Sequence, residues 1–171
     1  LISDTSASGA LKKMTRANFV SGIGGANTPN FSANKTSGTL NFSVNTMTKL
    51  VFNNELYDSN SGYDTSNGRF TVPSGQGGKY HVSAHFLSFE NANNNITAWE
   101  IAIYKNGSNE LYLAHNGTAS LGSYRQNIIT GDLNLSAGNY LELYARVNTS
   151  GTAAVAVGTA FTRFSAFKLI E

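Results

Sequence analysis

The chain has 171 residues, enough for one domain with a real core and a short extension. Only 13% of its residues are charged and the formal net charge is +2, so it carries no electrostatic footprint for nucleic acid, and its basic runs stop at Lys12-Lys13. Cysteine is absent, which excludes disulfides and thiolate metal sites, and no apolar run approaches the ~20 residues of a membrane span. An apolar fraction of 40%, with 11% aromatic, is too high for a disordered chain.

Residues 1–28 differ in character from the rest and read as an N-terminal connector or arm. Ser3 to Gly9 is a polar loop, and Leu11, Met14, Phe19 and Ile23 fall on one weak helical face too short to be stable without partners. The start at Leu1 rather than Met fits a processed product or a fragment. Residues 29–171 read as an all-β head. Ten strands are expected: Asn30–Ala33, Leu40–Val44, Lys49–Phe52, Gly68–Val72, Tyr80–Phe89, Ala98–Lys105, Glu110–His115, Tyr124–Leu135, Asn139–Val147 and Ala160–Ile170. Trp99, Ile101 and Ile103 share one face against Glu100 and Tyr104, and Leu141, Leu143, Ala145 and Val147 oppose Tyr140, Glu142, Tyr144 and Arg146. Asn106-Gly107 and Ser136-Ala137-Gly138 are turn signals. Short strands of this number without a helix imply a sandwich or jelly roll.

The segment Gly62-Tyr63-Asp64-Thr65-Ser66-Asn67-Gly68-Arg69-Phe70-Thr71-Val72-Pro73, followed by Gly78-Lys79-Tyr80 and Phe86, resembles the core motif of the complement-1q globular head within the tumour-necrosis-factor superfold. Asn30-Phe31-Ser32-Ala33 and Leu50-Val51-Phe52-Asn53 are similar to earlier strands of that family. Lys105-Asn106-Gly107 is similar to its mid-domain hairpin, and Gly131-Asp132-Leu133 with Gly138 and Leu141 to its strand-turn-strand. Phe164-Ser165-Ala166-Phe167-Lys168-Leu169 is similar to its last strand, with Ala166 in place of the usual Gly. The resemblance implies a homotrimeric jelly roll that binds a partner and is not an enzyme. Ala10-Leu11-Lys12-Lys13-Met14-Thr15-Arg16-Ala17-Asn18-Phe19 is similar to connectors of bacteriophage tail-fibre and virion proteins.

Little in the sequence points to catalysis. No nucleophile-elbow motif occurs, and the carboxylates are scattered rather than paired for polysaccharide cleavage. His81 and His85 flank Ser83 on one strand face, but that spacing separates them by roughly 13 Å, too far to share an ion, so they read as interface or surface histidines. Asp58 and Asp64 share a Gly/Ser/Asn loop without the dense pattern that the six to eight oxygens of calcium require, so no metal and no cofactor is expected. Asp64 reads as a local turn acceptor.

A neutral, hydroxyl- and amide-rich surface suits an extracellular or virion-surface protein. The expectation is therefore the C-terminal head of a phage tail fibre, joined to upstream virion components and recognising a host-surface glycan or protein. A capsid or virion decoration fibre and a secreted lectin-like recognition protein are the alternatives. Tyr80, Phe86, Leu87 and Phe89 are expected at the trimer interface, because apolar groups on both faces of one strand exceed what a single core takes in. If Tyr80–Phe89 runs away from the connector, the short turns collect beside the connector and the long loops at the far end. Those loops supply the expected receptor-binding residues Asn93, Asn94, Asn95, Asn116, Ser123, Tyr124 and Thr149.

Overall fold

The computed structural model describes Ile2–Ser3, Leu11–Lys12 and residues 27–169, apart from 39, 44 and 91–94. Strands β1 (Ile2–Ser3) and β2 (Leu11–Lys12) pair antiparallel. Leu11 thus stands in a strand and not on the expected helical face, while Met14, Phe19 and Ile23 lie outside the described residues. The rest is a jelly-roll sandwich of two six-stranded sheets.

The short strands come first: β3 (Asn30–Asn34), β4 (Thr48–Lys49), β5 (Asn54–Asp58), β6 (Tyr63–Asp64) and β7 (Arg69–Thr71). The long ones follow: β8 (Gly78–Glu90), β9 (Ala98–Lys105), β10 (Ser108–Asn116), β11 (Tyr124–Leu135) and β12 (Tyr140–Asn148). The chain ends with β13 (Ala153–Val155) and β14 (Thr162–Lys168). One sheet has the order β10-β9-β12-β7-β6, with β4 also on β12; the other has the order β11-β8-β14-β3-β5, with β13 also on β8. They are called here the β9 sheet and the β8 sheet.

Two expected strands change. Of Lys49–Phe52 only Thr48–Lys49 pairs; after Leu50 donates to Leu143 O the chain turns inward and buries Phe52. The segment around Leu40–Phe42 meets β13 only through an isolated bridge at Asn41. Conversely, β5 has no apolar alternation to announce it, because it is an edge strand with Glu55, Leu56 and Tyr57 all exposed.

Alternation along β8 decides what fills the sandwich. Tyr80, Val82, Ala84 and Phe86 are fully buried, while His81, Ser83, His85, Leu87 and Phe89 face outward and stay partly exposed. Tyr80 and Phe86 therefore belong to the intramolecular core, which corrects their placement at a trimer interface; Leu87 and Phe89 remain on the outer face. Phe31 anchors the core, stacked on Phe70 at 4.5 Å and on Tyr63 at 5.0 Å, with Phe164 edge-on at 5.1 Å. Burial pushes the Tyr63 hydroxyl well above its usual range, and it donates to Phe52 O. Burial likewise pushes Tyr80 up to about 12, and that hydroxyl donates to Gln76 O. Gly68 serves the motif that revealed the fold: its φ is +66°, and a Cβ there would lie 2.9 Å from Val51 Cα.

Candidate recognition site

Register fixes the two ends of the sandwich. Lys168 N donates to Pro29 O and Leu169 N to Lys79 O, so the chain enters and leaves the sandwich where β8 begins. The turns at Asn106-Gly107 and Ser136–Gly138 lie at this end, tied by Asn106 N to Tyr140 O and by Gly138 N to Val72 O. The opposite end gathers the loops that follow β8, β10 and β12. Thr97 N donates to Asn148 O, Gly117 N to Thr97 O, Leu121 N to Ile96 O and Glu90 N to Ser123 O, each at 2.7–3.1 Å. Three loops that cross from one sheet to the other thus form one tip.

Within the tip the expected residues divide. Asn95 and Thr149 hold the loops to one another: Thr149 Oγ1 donates to Asn95 Oδ1, and Asn95 Nδ2 donates to Ser150 Oγ. Thr149 is only 5% exposed and also accepts from Gly151 N, so it braces the tip instead of presenting a hydroxyl, a correction to its expected role. Asn116 is exposed, Ser123 is half-buried, and Tyr124 is 64% exposed while stacked on Phe89 at 6.3 Å. Asn93 and Asn94 lie outside the described residues.

Two further groups belong to the tip. Glu90 occupies the inward phase of β8 and is buried, with Asn95 N 3.5 Å from its carboxylate. A side chain at Gly151 would collide with that carboxylate, which accounts for glycine there. Trp99 packs against the core and stacks on exposed His115 at 6.2 Å and 20°, across the register pair that joins β9 to β10. Alternation places Glu90 and Trp99 on inward faces from sequence alone; the partnership with His115 depends on register, which sequence does not show.

The other candidates resolve into structure. His81 and His85 both face outward from β8, His81 Nδ1 lying 2.8 Å from Asp132 Oδ1 and its Nε2 3.1 Å from Thr130 Oγ1. Burial and the neighbouring Arg163 charge lower the His85 pKa. Asp58 accepts from Tyr63 N and Asn60 N. Asp64 accepts from Ser66 and Asn67 as a turn acceptor, and these bonds hold its carboxyl below the usual range. Among the described residues no group of three His, Asp or Glu converges to hold a metal ion, and no helix is long and apolar enough to cross a membrane.

No protein-family model matches the chain, and no curated protein sequence matches it either. Solved structures do. The globular domain of zebrafish complement 1qA protein superposes with a TM-score of 0.56 at 16% identity, covering 83% of this chain and 98% of that one. Murine APRIL gives 0.60 at 12% identity, over 82% of this chain and 98% of that one. Eiger TNF from S. frugiperda gives 0.58 at 14% identity, over 82% and 91%. The fold is thus the two-sheet jelly roll shared by complement-1q and tumour-necrosis-factor domains, the architecture that the Gly68–Pro73 motif suggests.

Proposed function

We propose that this chain is a non-enzymatic recognition domain that acts outside the cell as a homotrimer and binds a surface glycan or protein through its tip. The observation that carries the reading is the convergence of three loops at the end opposite the chain's entry, where a partner approaching a tethered head arrives first. Three copies of a modest site give useful avidity on a repetitive surface.

Unpartnered apolar surface supports the trimer. A threefold ring joins two different patches of each copy. One patch is the β10–β11 edge, a groove of about 310 Å³ lined by Leu111, Tyr112, Leu113, Ile128, Ile129 and Thr130, with Ile128 52% exposed. The other is the β5 edge of the β8 sheet, where Leu56 is 40% and Tyr57 54% exposed. Likeness to complement-1q and tumour-necrosis-factor domains favours a secreted, lectin-like recognition protein. The similarity of Ala10–Phe19 to tail-fibre connectors favours a second setting, the head of a phage fibre attached to upstream virion components.

Replacement of residues 116–122 by an unrelated loop of equal length tests the reading. The protein remains folded and trimeric but loses binding to cells or to a glycan array that the unmodified chain recognises; undiminished binding would move the site away from the tip.

A further inference from the structure

The outer face of the β8 sheet contains a row of small hydroxyl residues. Register sets Ser32, Ser165, Ser83 and Thr130 side by side across β3, β14, β8 and β11, opposite in phase to the buried Phe31, Ala33, Val82, Ala84, Phe164 and Ala166. Taller rows bound it on both sides. Arg163, His85 and Ile128 form one wall, and Phe167, His81 and Asp132 the other, with the Phe167 and His81 rings 5.3 Å apart. The result is a hydroxyl-floored trough across four strands.

Arg163 differs from the guanidinium groups of the opposite sheet. Arg69 and Arg146 each rest on a glutamate, whereas Arg163 donates through Nη1 to Ser32 Oγ at 3.4 Å, and its Nε is enclosed without an acceptor. Asp132, the carboxylate of the far wall, already meets His81. One accessible hydroxyl of the floor remains able to donate: Ser83 Oγ has no partner among the described residues, whereas Ser32 is buried and already engaged by Arg163. A cation with no carboxylate partner among the described residues, beside a free O–H donor, is complementary to a compact anion with several acceptor oxygens.

We propose that this trough holds one small oxyanion per chain, of the phosphate or sulfate class, between Arg163, His85 and the hydroxyl of Ser83. The inference rests on the homotrimer reading, because a second copy laid over this face encloses the ion and makes an uncompensated guanidinium costly. Neutral His85 then supplies an N–H donor without adding charge.

The test is thermal unfolding of the full chain at constant ionic strength, with inorganic phosphate replacing chloride, beside light scattering of the same samples. A rise of a few degrees that saturates with phosphate is expected, absent in Arg163→Gln and in Ser83→Val, which fills the trough while keeping every charge. Should Arg163→Gln fail to fold, Ser83→Val and calorimetric titration of phosphate decide alone. Glucose 6-phosphate produces no rise if the ion is enclosed; an equal rise overturns the enclosed placement. A trimer indifferent to phosphate, or one whose variants respond as the unmodified chain does (an adventitious ion only), overturns the inference and leaves the trimer standing. A monomer overturns the trimer reading and with it the closed site.

Discussion

On the outer face of the β9 sheet, charge is matched within the chain. Glu142 is contacted by Lys49 at 2.5 Å and Arg69 at 2.8 Å, Glu100 meets Arg146, Arg69 lies 3.8 Å over the Tyr140 ring, and Tyr104 stacks on Tyr144 at 4.2 Å. The outer face of the β8 sheet leaves Arg163 on a hydroxyl and exposes Tyr57, Tyr124 and Ile128. A face whose polar groups are mutually satisfied gains little from a partner, whereas one with apolar area and unmatched charge gains from being covered. The β8 sheet, together with the β10 edge beside β11, is accordingly the side on which assembly is proposed, and the charge-paired face of β9, β12 and β7 the side left to solvent.

The largest expected effect comes from a charge on the unpartnered face. Leu87→Asp, at a partly exposed outward position, converts the trimer to a monomer while far-ultraviolet circular dichroism stays native; an unchanged mass would move the interface elsewhere. Removal of the matching carboxylate on the other face has a smaller effect of a different kind. Burial alone would raise the Glu142 pKa, but hydrogen bonds and charge from Lys49 and Arg69 outweigh it and lower it. Glu142→Gln leaves two half-exposed cations unmatched and costs about 1–2 kcal/mol in denaturant unfolding, with the trimer retained. Because the folded-state pKa is depressed, the contribution of Glu142 is present above the ordinary carboxylate range and is lost as pH falls through the lowered value.

His85 gives a subtler contrast. Its folded pKa lies below the usual 6.5, so the unfolded chain takes up the proton first and stability declines as pH falls from about 6.5 toward the lowered value. Arg163 is the charge that opposes protonation, and the other groups facing His85 across β11 and along β8 (Ile128, Ser83, Leu87) do not titrate. His85→Gln should flatten that part of the stability–pH curve; an unchanged slope would assign it to another group. The smallest effect is expected at the exposed Lys105–Glu110 pair, 3.5 Å apart, where Glu110→Ala shifts unfolding by less than about 0.5 kcal/mol.

The sandwich was legible because its long strands alternate cleanly: β8 and β12 announce their buried faces residue by residue. β5 was not, since an edge strand wet on both sides leaves no period to read. The gathering of loops at one end follows from strand direction alone, and the bonds between those loops agree with it. What sequence conceals is which loop side chains are already engaged. Thr149 and Asn95 bind each other across 54 positions, and the Trp99–His115 stack needs a register that only the folded sheet fixes. The same holds for Tyr80 and Phe86. Aromatic groups on one strand signal a surplus of apolar surface, and only the phase of the pleat decides which of them the core takes in.

The account turns on the outer face of the β8 sheet being covered by other copies of the chain. Sedimentation equilibrium of the full chain at micromolar concentration tests this most directly. The account predicts three times the mass of one chain, independent of concentration over a tenfold range. A single-chain mass across that range would contradict it.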